Sequence, residues 1–124
     1  MRGDYVFRVR LRVEPSDPDV TLDPDTFETV LRRRAPEPGA EGWLFFRDNC
    51  WRGETNDDAH ARRLAEEALG VPAESVAFRE LACDREYYDA LREAIAADLT
   101  PFRADDVPEV LTKYLGSSIR VVGD

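Results

Sequence analysis

Apolar and polar positions alternate through Tyr5-Val-Phe-Arg-Val-Arg-Leu-Arg-Val13, with Tyr5, Phe7, Val9, Leu11 and Val13 on one side and Arg8, Arg10 and Arg12 on the other. A period of two predicts a strand with one buried face and one arginine face, because successive side chains of an extended chain point in opposite directions. Residues 14–25 carry Pro15, Pro18 and Pro24 among Asp and Ser and read as a loop, with a short extended piece at residues 20–22. Thr26-Phe-Glu-Thr-Val-Leu-Arg-Arg-Arg34 has the β-branched and aromatic content of a second strand. The acid-rich opening Asp25-Thr-Phe-Glu28 is a competing signal for a short helix. Residues 35–42 form a Pro/Gly turn that returns the chain antiparallel.

The next stretch, Gly42-Trp-Leu-Phe-Phe-Arg-Asp-Asn-Cys-Trp-Arg-Gly-Glu54, holds both tryptophans, two of the six phenylalanines and one of the two cysteines. Four apolar residues in a row, Trp43 to Phe46, predict a strand covered on both faces, the second cover being a loop, a second subunit or a ligand. Asp48-Asn49 tolerates positive φ and predicts a two-residue hairpin turn, unless the strand ends near Arg47 in an irregular loop.

Helical spacing takes over after this stretch. Thr55-Asn-Asp-Asp58 starts a helix with apolar positions at Ala61, Leu64, Ala65, Ala68 and Leu69, stopped by Gly70 and Pro72. Residues 75–83 predict a further strand. Asp84 caps a second helix with the stripe Tyr87, Tyr88, Leu91, Ala94, Ile95 and Leu99, and Asp105 or Asp106 caps a third with Val107, Val110, Leu111, Tyr114 and Leu115. Residues 118–122 close as a strand. Clustered strands followed by helices predict an α+β fold in one domain: a mainly antiparallel sheet of about five strands with three helices packed on one face. The other face of the sheet then carries the arginines.

Charge changes the picture more than length does. The 124 residues contain 26 acids against 17 bases, and the bases are sixteen arginines and one lysine, Lys113. An acid-rich, lysine-poor surface holds water and cations where salt is molar and points to a halophile; a GC-rich genome would give a similar composition. The net charge of −9 argues against a general polyanion binder. Cys50 and Cys83 lie far apart without CxxC spacing, as expected of buried thiols in a cytoplasmic protein. No apolar run approaches the ~20 residues that span a bilayer, and no cleavable leader opens the chain.

Two groups of side chains are candidates for binding. One is the arginine face, Arg8, Arg10 and Arg12 joined by Arg32 or Arg34 and by Arg47 or Arg52, beside Trp43 and Phe45. Such a surface serves a protein partner, a homodimer or, less well, RNA; the bland alternative is a solvated face whose arginines pair with cross-strand acids. The other is Trp51-Arg52, residue types enriched in binding hot spots, whose alternative is a core cation–π pair. His60 with Asp57 and Asp58 is a poor metal set, since capping explains the acids and no second ligand lies at zinc-like spacing. His60 with either cysteine has no nucleophile signature, and the carboxylates of Glu80 and Asp84 fit a helix cap better than catalysis. No cofactor, metal or catalytic residue is expected, and a non-enzymatic role is preferred over a small enzyme.

Met1-Arg-Gly-Asp-Tyr-Val-Phe-Arg-Val-Arg, the Gly42 to Glu54 stretch, Phe78-Arg-Glu-Leu and Lys113-Tyr-Leu-Gly-Ser-Ser-Ile together resemble the small haloarchaeal LWR-salt proteins. The resemblance covers nearly the whole chain. The Leu-Trp-Arg signature stands here as Cys50-Trp51-Arg52, with a smaller apolar residue in place of leucine. It implies a halophilic, cytoplasmic protein and assigns no activity or catalytic residue.

Overall fold

The computed structural model describes residues 1–51, 54–55 and 57–123, with Trp51 and Glu54 described by their backbones only. The alternating segment forms strand β1 (Gly3–Arg12), and the β-branched run after the proline loop forms β2 (Thr26–Arg34). After them come α1 (Phe45–Asn49) and two short strands, β3 (Cys50–Trp51) and β4 (Glu54–Thr55). The chain continues through α2 (Asp58–Leu69), β5 (Ala73–Cys83), α3 (Arg85–Ala97), a 3-10 turn at Thr100–Phe102, α4 (Val107–Tyr114) and β6 (Ile119–Val121).

Four strands make one mixed sheet in the order β2-β1-β5-β6, and β3 and β4 form a separate two-stranded ribbon. β1 pairs antiparallel with β2 from Asp4↔Arg34 to Arg12↔Thr26 and antiparallel with β5 from Gly3↔Cys83 to Leu11↔Ala73. Arg79 and Glu74 are extra residues in β5, so its register against β1 shifts twice. The fold class is α+β, with four strands in the main sheet rather than about five, and with four helices rather than three among the described residues. β6 lies parallel to β5, Leu81 opposite Ile119. The chain crosses through α3 and α4 between these two strands, which is the long connection that parallel pairing needs.

The apolar stripes explain which face is covered. Tyr5, Phe7, Val9, Phe78 and Leu81 from the sheet share one buried cluster with Ala65 of α2, Tyr87, Leu91 and Ile95 of α3, and Val110 and Tyr114 of α4. The caps follow the acids. Asp57 accepts from the His60 N–H at 3.1 Å, Asp84 from the Tyr87 N–H at 2.8 Å and Asp106 from the Glu109 N–H at 2.9 Å. Gly70, at φ 74°, ends α2 in the left-handed conformation that a side chain would strain.

The expected Trp43 strand is instead a pair of turns leading into α1. The Trp43 N–H donates to the Ala40 carbonyl and the Phe45 N–H to the Gly42 carbonyl, both at 3.1 Å. A run of four apolar residues needs cover all round, and a buried helical turn supplies that as well as a strand does. Phe45 packs on Tyr5 with centroids 4.7 Å apart, while Phe46 points the other way and stacks on Phe102 at 5.7 Å. Asp48-Asn49 is therefore helical; the Asn49 amide donates to the Phe45 carbonyl at 3.0 Å. The hairpin lies just beyond, with Cys50 opposite Thr55 and Trp51 opposite Glu54.

Candidate functional site: the open arginine face

Alternation along β1 sends Asp4, Val6, Arg8, Arg10 and Arg12 to the side of the sheet away from the helical cluster. Register carries Glu28, Val30, Arg32 and Arg34 of β2, and Ser75, Ala77, Glu80 and Ala82 of β5, to the same side. Arg120 of β6 stands beside Ala82. Arg8, Arg10, Val30, Ser75 and Ala77 are all exposed, as they would not be beneath a helix. Val6, between Arg32 and Glu80, is nevertheless buried although it lies outside the helical cluster.

The acids on this face satisfy few of its arginines. Glu80 takes Arg120 through two hydrogen bonds of 2.8 and 2.9 Å. That contact holds the Glu80 carboxyl below its ordinary range against the opposing effect of burial, with the charges of Arg120, Arg79 and Arg32 adding to it. Asp4 pairs with Arg2 at 3.3 Å and Asp25 with Arg12 at 3.6 Å. Arg8, Arg10, Arg32, Arg34 and Arg79 form no ion pair or side-chain hydrogen bond with any described residue. Even Arg10, directly opposite Glu28, leaves that carboxylate at more than bonding distance. The Cα atoms that carry Arg8, Arg10 and Arg12 repeat at roughly 6–7 Å, a spacing set by the backbone.

The sheet separates what the sequence placed together. Arg8, Arg10 and Arg12 lie on the open side, whereas Trp43 and Phe45 are half-buried on the covered side. Phe45 lies beneath Arg33, whose guanidinium carbon is 5.2 Å from the ring centroid. Arg47 turns to its neighbour Asp48 at 2.7 Å. Arg52 and the Trp51 side chain lie outside the described residues. Arg79 and Arg120 join the open face without having been singled out. The position of Arg120 was legible in the alternation of Ser118-Ile-Arg-Val-Val122, but a bulge residue such as Arg79 has no sequence signal.

Chemistry elsewhere is sparse. His60 is half-buried in the first turn of α2, and among the described residues no three His, Cys, Asp or Glu side chains converge as a metal site. Cys50 and Cys83 are buried free thiols, pushed by desolvation up to about 12 and about 11, where almost no thiolate exists at neutral pH. The apolar cleft between β2 and α2, walled by Leu31, Phe45, Leu64 and Ala68, holds about 110 Å³. Small-molecule pockets usually hold about 300–1,000 Å³; two more open clefts reach that range, one of about 470 Å³ beside Trp43 and Asp48 and one of about 390 Å³ between Arg2, Arg32 and Arg120.

The sheet is mixed, backed by helices on one side and bare on the other, and the guanidinium groups without partners among the described residues lie on the bare side. The chain belongs to the LWR-salt protein family, whose model matches residues 1–124. Cys50, which stands where the resemblance expects leucine, is completely buried, as an apolar residue there should be. No curated protein and no solved structure matches the chain. No helix among the described residues is long and apolar enough to cross a membrane.

Proposed function

We propose that this is a halophilic, cytoplasmic, non-enzymatic domain whose open sheet face binds the carboxylates of an acidic protein partner. One observation carries the reading: in a chain of net charge −9, the exposed Arg8, Arg10, Arg32 and Arg34 gather on a bare face and go without acidic partners among the described residues. Guanidinium groups take carboxylates through paired, short hydrogen bonds. Such contacts persist at about 1 M salt, where the Debye length is only ~3 Å and long-range attraction is gone. RNA is the weaker partner because Trp43 and Phe45 lie on the other side of the sheet, leaving no aromatic platform among the described side chains on which bases could stack.

Titration of the labelled protein with polyglutamate and with oligouridylate in molar KCl, read by arginine Nε–H and backbone amide NMR shifts, tests this. Saturable shifts confined to β1 and β2, with polyglutamate at least tenfold tighter, are expected. Tighter binding of oligouridylate would replace the protein partner with RNA. Unmoved β1 and β2 signals with both ligands would leave the face merely solvated and refute the proposal.

A further inference from the structure

β2 is an edge strand of nine residues, and among the described residues no strand pairs with its outer side. The hydrogen-bond parity of that edge can be read from its ends. The Ala35 N–H donates to the Gly3 carbonyl at 2.8 Å and the Val13 N–H to the Asp25 carbonyl at 2.9 Å. Antiparallel ladders alternate bonded and non-bonded pairs, so odd-numbered residues of β2 spend their backbone groups on β1. The N–H and C=O groups of Thr26, Glu28, Val30, Arg32 and Arg34 therefore point out from the free edge. Val30 and Phe27 are 46% and 47% exposed, two large apolar side chains on a bare edge.

We propose that β2 pairs with β2 of a second copy of this chain, antiparallel, about a twofold axis through Val30. This axis overlays all nine residues of the strand and sets outward backbone groups against outward backbone groups, giving on the order of ten new hydrogen bonds. On the arginine side, Val30 meets Val30 of the second copy, and Glu28 faces the second copy's Arg32 twice by symmetry. On the covered side, Phe27 faces the second copy's Arg33, and Thr29 its Leu31. Moving the axis one residue shortens the overlap from nine residues to seven, and moving it two sets Glu28 against Glu28 or Arg32 against Arg32, a like-charge contact that penalises the slip. The charge pattern of the strand is thus self-complementary in the register that overlays its whole length. The second copy also covers an edge that lacks the proline, bulge or lysine by which exposed edges are normally blunted. Edge pairing of this kind buries little area, so the dimer is reversible and concentration-dependent.

The dimer would join two arginine faces into one continuous sheet, but it stands on the β2 edge alone and not on what that face binds. Sedimentation equilibrium of the full chain in molar KCl tests it. The expected result is a mass rising from 14.1 kDa toward twice that value with concentration. Val30→Pro removes an outward-pointing N–H and spares the β1 ladder, so it should stay monomeric with an unchanged circular dichroism spectrum. Glu28→Arg and Arg32→Glu should each weaken the dimer at least tenfold, and Glu28→Arg with Arg32→Glu should restore it, because the swapped pair meets across the same axis. The charge series decides the matter if the proline variant fails to fold. A wild-type monomer at every concentration, a dimer indifferent to these substitutions, or a double variant that does not recover would overturn the proposal.

Discussion

Two buried tyrosines offer a matched pair of experiments in which the same chemical change should have opposite effects. Tyr5 is 1% exposed, and its hydroxyl lies close to the Phe46 backbone without a hydrogen bond of acceptable geometry. Tyr87 is 2% exposed, and its hydroxyl donates to the Pro36 carbonyl at 3.1 Å. A buried polar group without a partner costs about 1–3 kcal/mol, while a made hydrogen bond contributes about 1 kcal/mol net. Deleting the Tyr5 oxygen leaves only a small void, a loss of a few tenths of a kcal/mol on the scale of about 24 cal/mol per Å³ of cavity. Tyr5→Phe should therefore stabilise the fold by about 1 kcal/mol, and Tyr87→Phe should destabilise it by about 1 kcal/mol. Denaturant unfolding in molar KCl, followed by far-ultraviolet circular dichroism, gives both differences if the slope with denaturant stays constant. A Tyr5→Phe variant less stable than wild type by more than about 0.5 kcal/mol would mean that the hydroxyl is satisfied, and the reasoning would fail.

Other parts of the molecule respond in equally specific ways. A Cβ on Gly3 would come within 2.9 Å of two ring atoms of Tyr87, which is held at its hydroxyl, so Gly3→Ala should cost about 1–3 kcal/mol in the same unfolding assay; a cost under about 0.5 kcal/mol would refute the tight approach. Cys50 and Cys83 are raised by burial from an ordinary value of 9.0, so the folded state holds their protons more tightly than the unfolded chain does. Their contribution is complete below pH 9.0 and shrinks as pH rises toward about 11 for Cys83 and about 12 for Cys50, by up to about 1.4 kcal/mol per pH unit for each thiol. A denaturation midpoint flat to pH 11 would contradict that burial, whereas Cys50→Ala should blunt the alkaline loss. Arg10→Ala should change stability by less than about 0.5 kcal/mol, since the side chain is exposed and pairs with none of the described residues. Dilution from molar to low salt should unfold the chain as the repulsion behind its net charge of −9 loses its screening; full structure in dilute buffer would count against a halophilic protein.

Where the physics is local, the sequence is readable. The alternation of residues 5–13 puts Tyr5, Phe7, Val9 and Leu11 on the covered face of β1 and Arg8, Arg10 and Arg12 on the open one, but Val13 falls past the end of the strand and is exposed; the capping acids Asp84 and Asp106 mark the starts of α3 and α4. The strand at residues 75–83 starts two residues earlier, at Ala73, because the Leu11 pairing extends it. Trp43 to Phe46 misleads because an unbroken apolar run carries no period, and only Tyr5, Phe7 and Phe102 decide that it coils into a helical turn between them. The parallel docking of β6 depends on where α3 and α4 deliver the chain, which no local pattern encodes. The site suffers from the same limit. Arg8, Arg10 and Arg12 are placed by period alone, but their separation from Trp43 and Phe45 follows from that helical turn lying on the covered side, and Arg79 reaches its position through a bulge.

If binding resides in the location of the arginines rather than in their number, two matched charge reversals will differ: Arg8→Glu with Arg10→Glu on the open face, and Arg62→Glu with Arg63→Glu on the exposed side of α2. Each removes two positive charges and adds two negative ones. Fluorescence anisotropy with labelled polyglutamate should report affinity lowered at least tenfold by the first pair and less than twofold by the second. Equal weakening by both would mean that only net charge matters, and the open face would lose its claim to be a binding site.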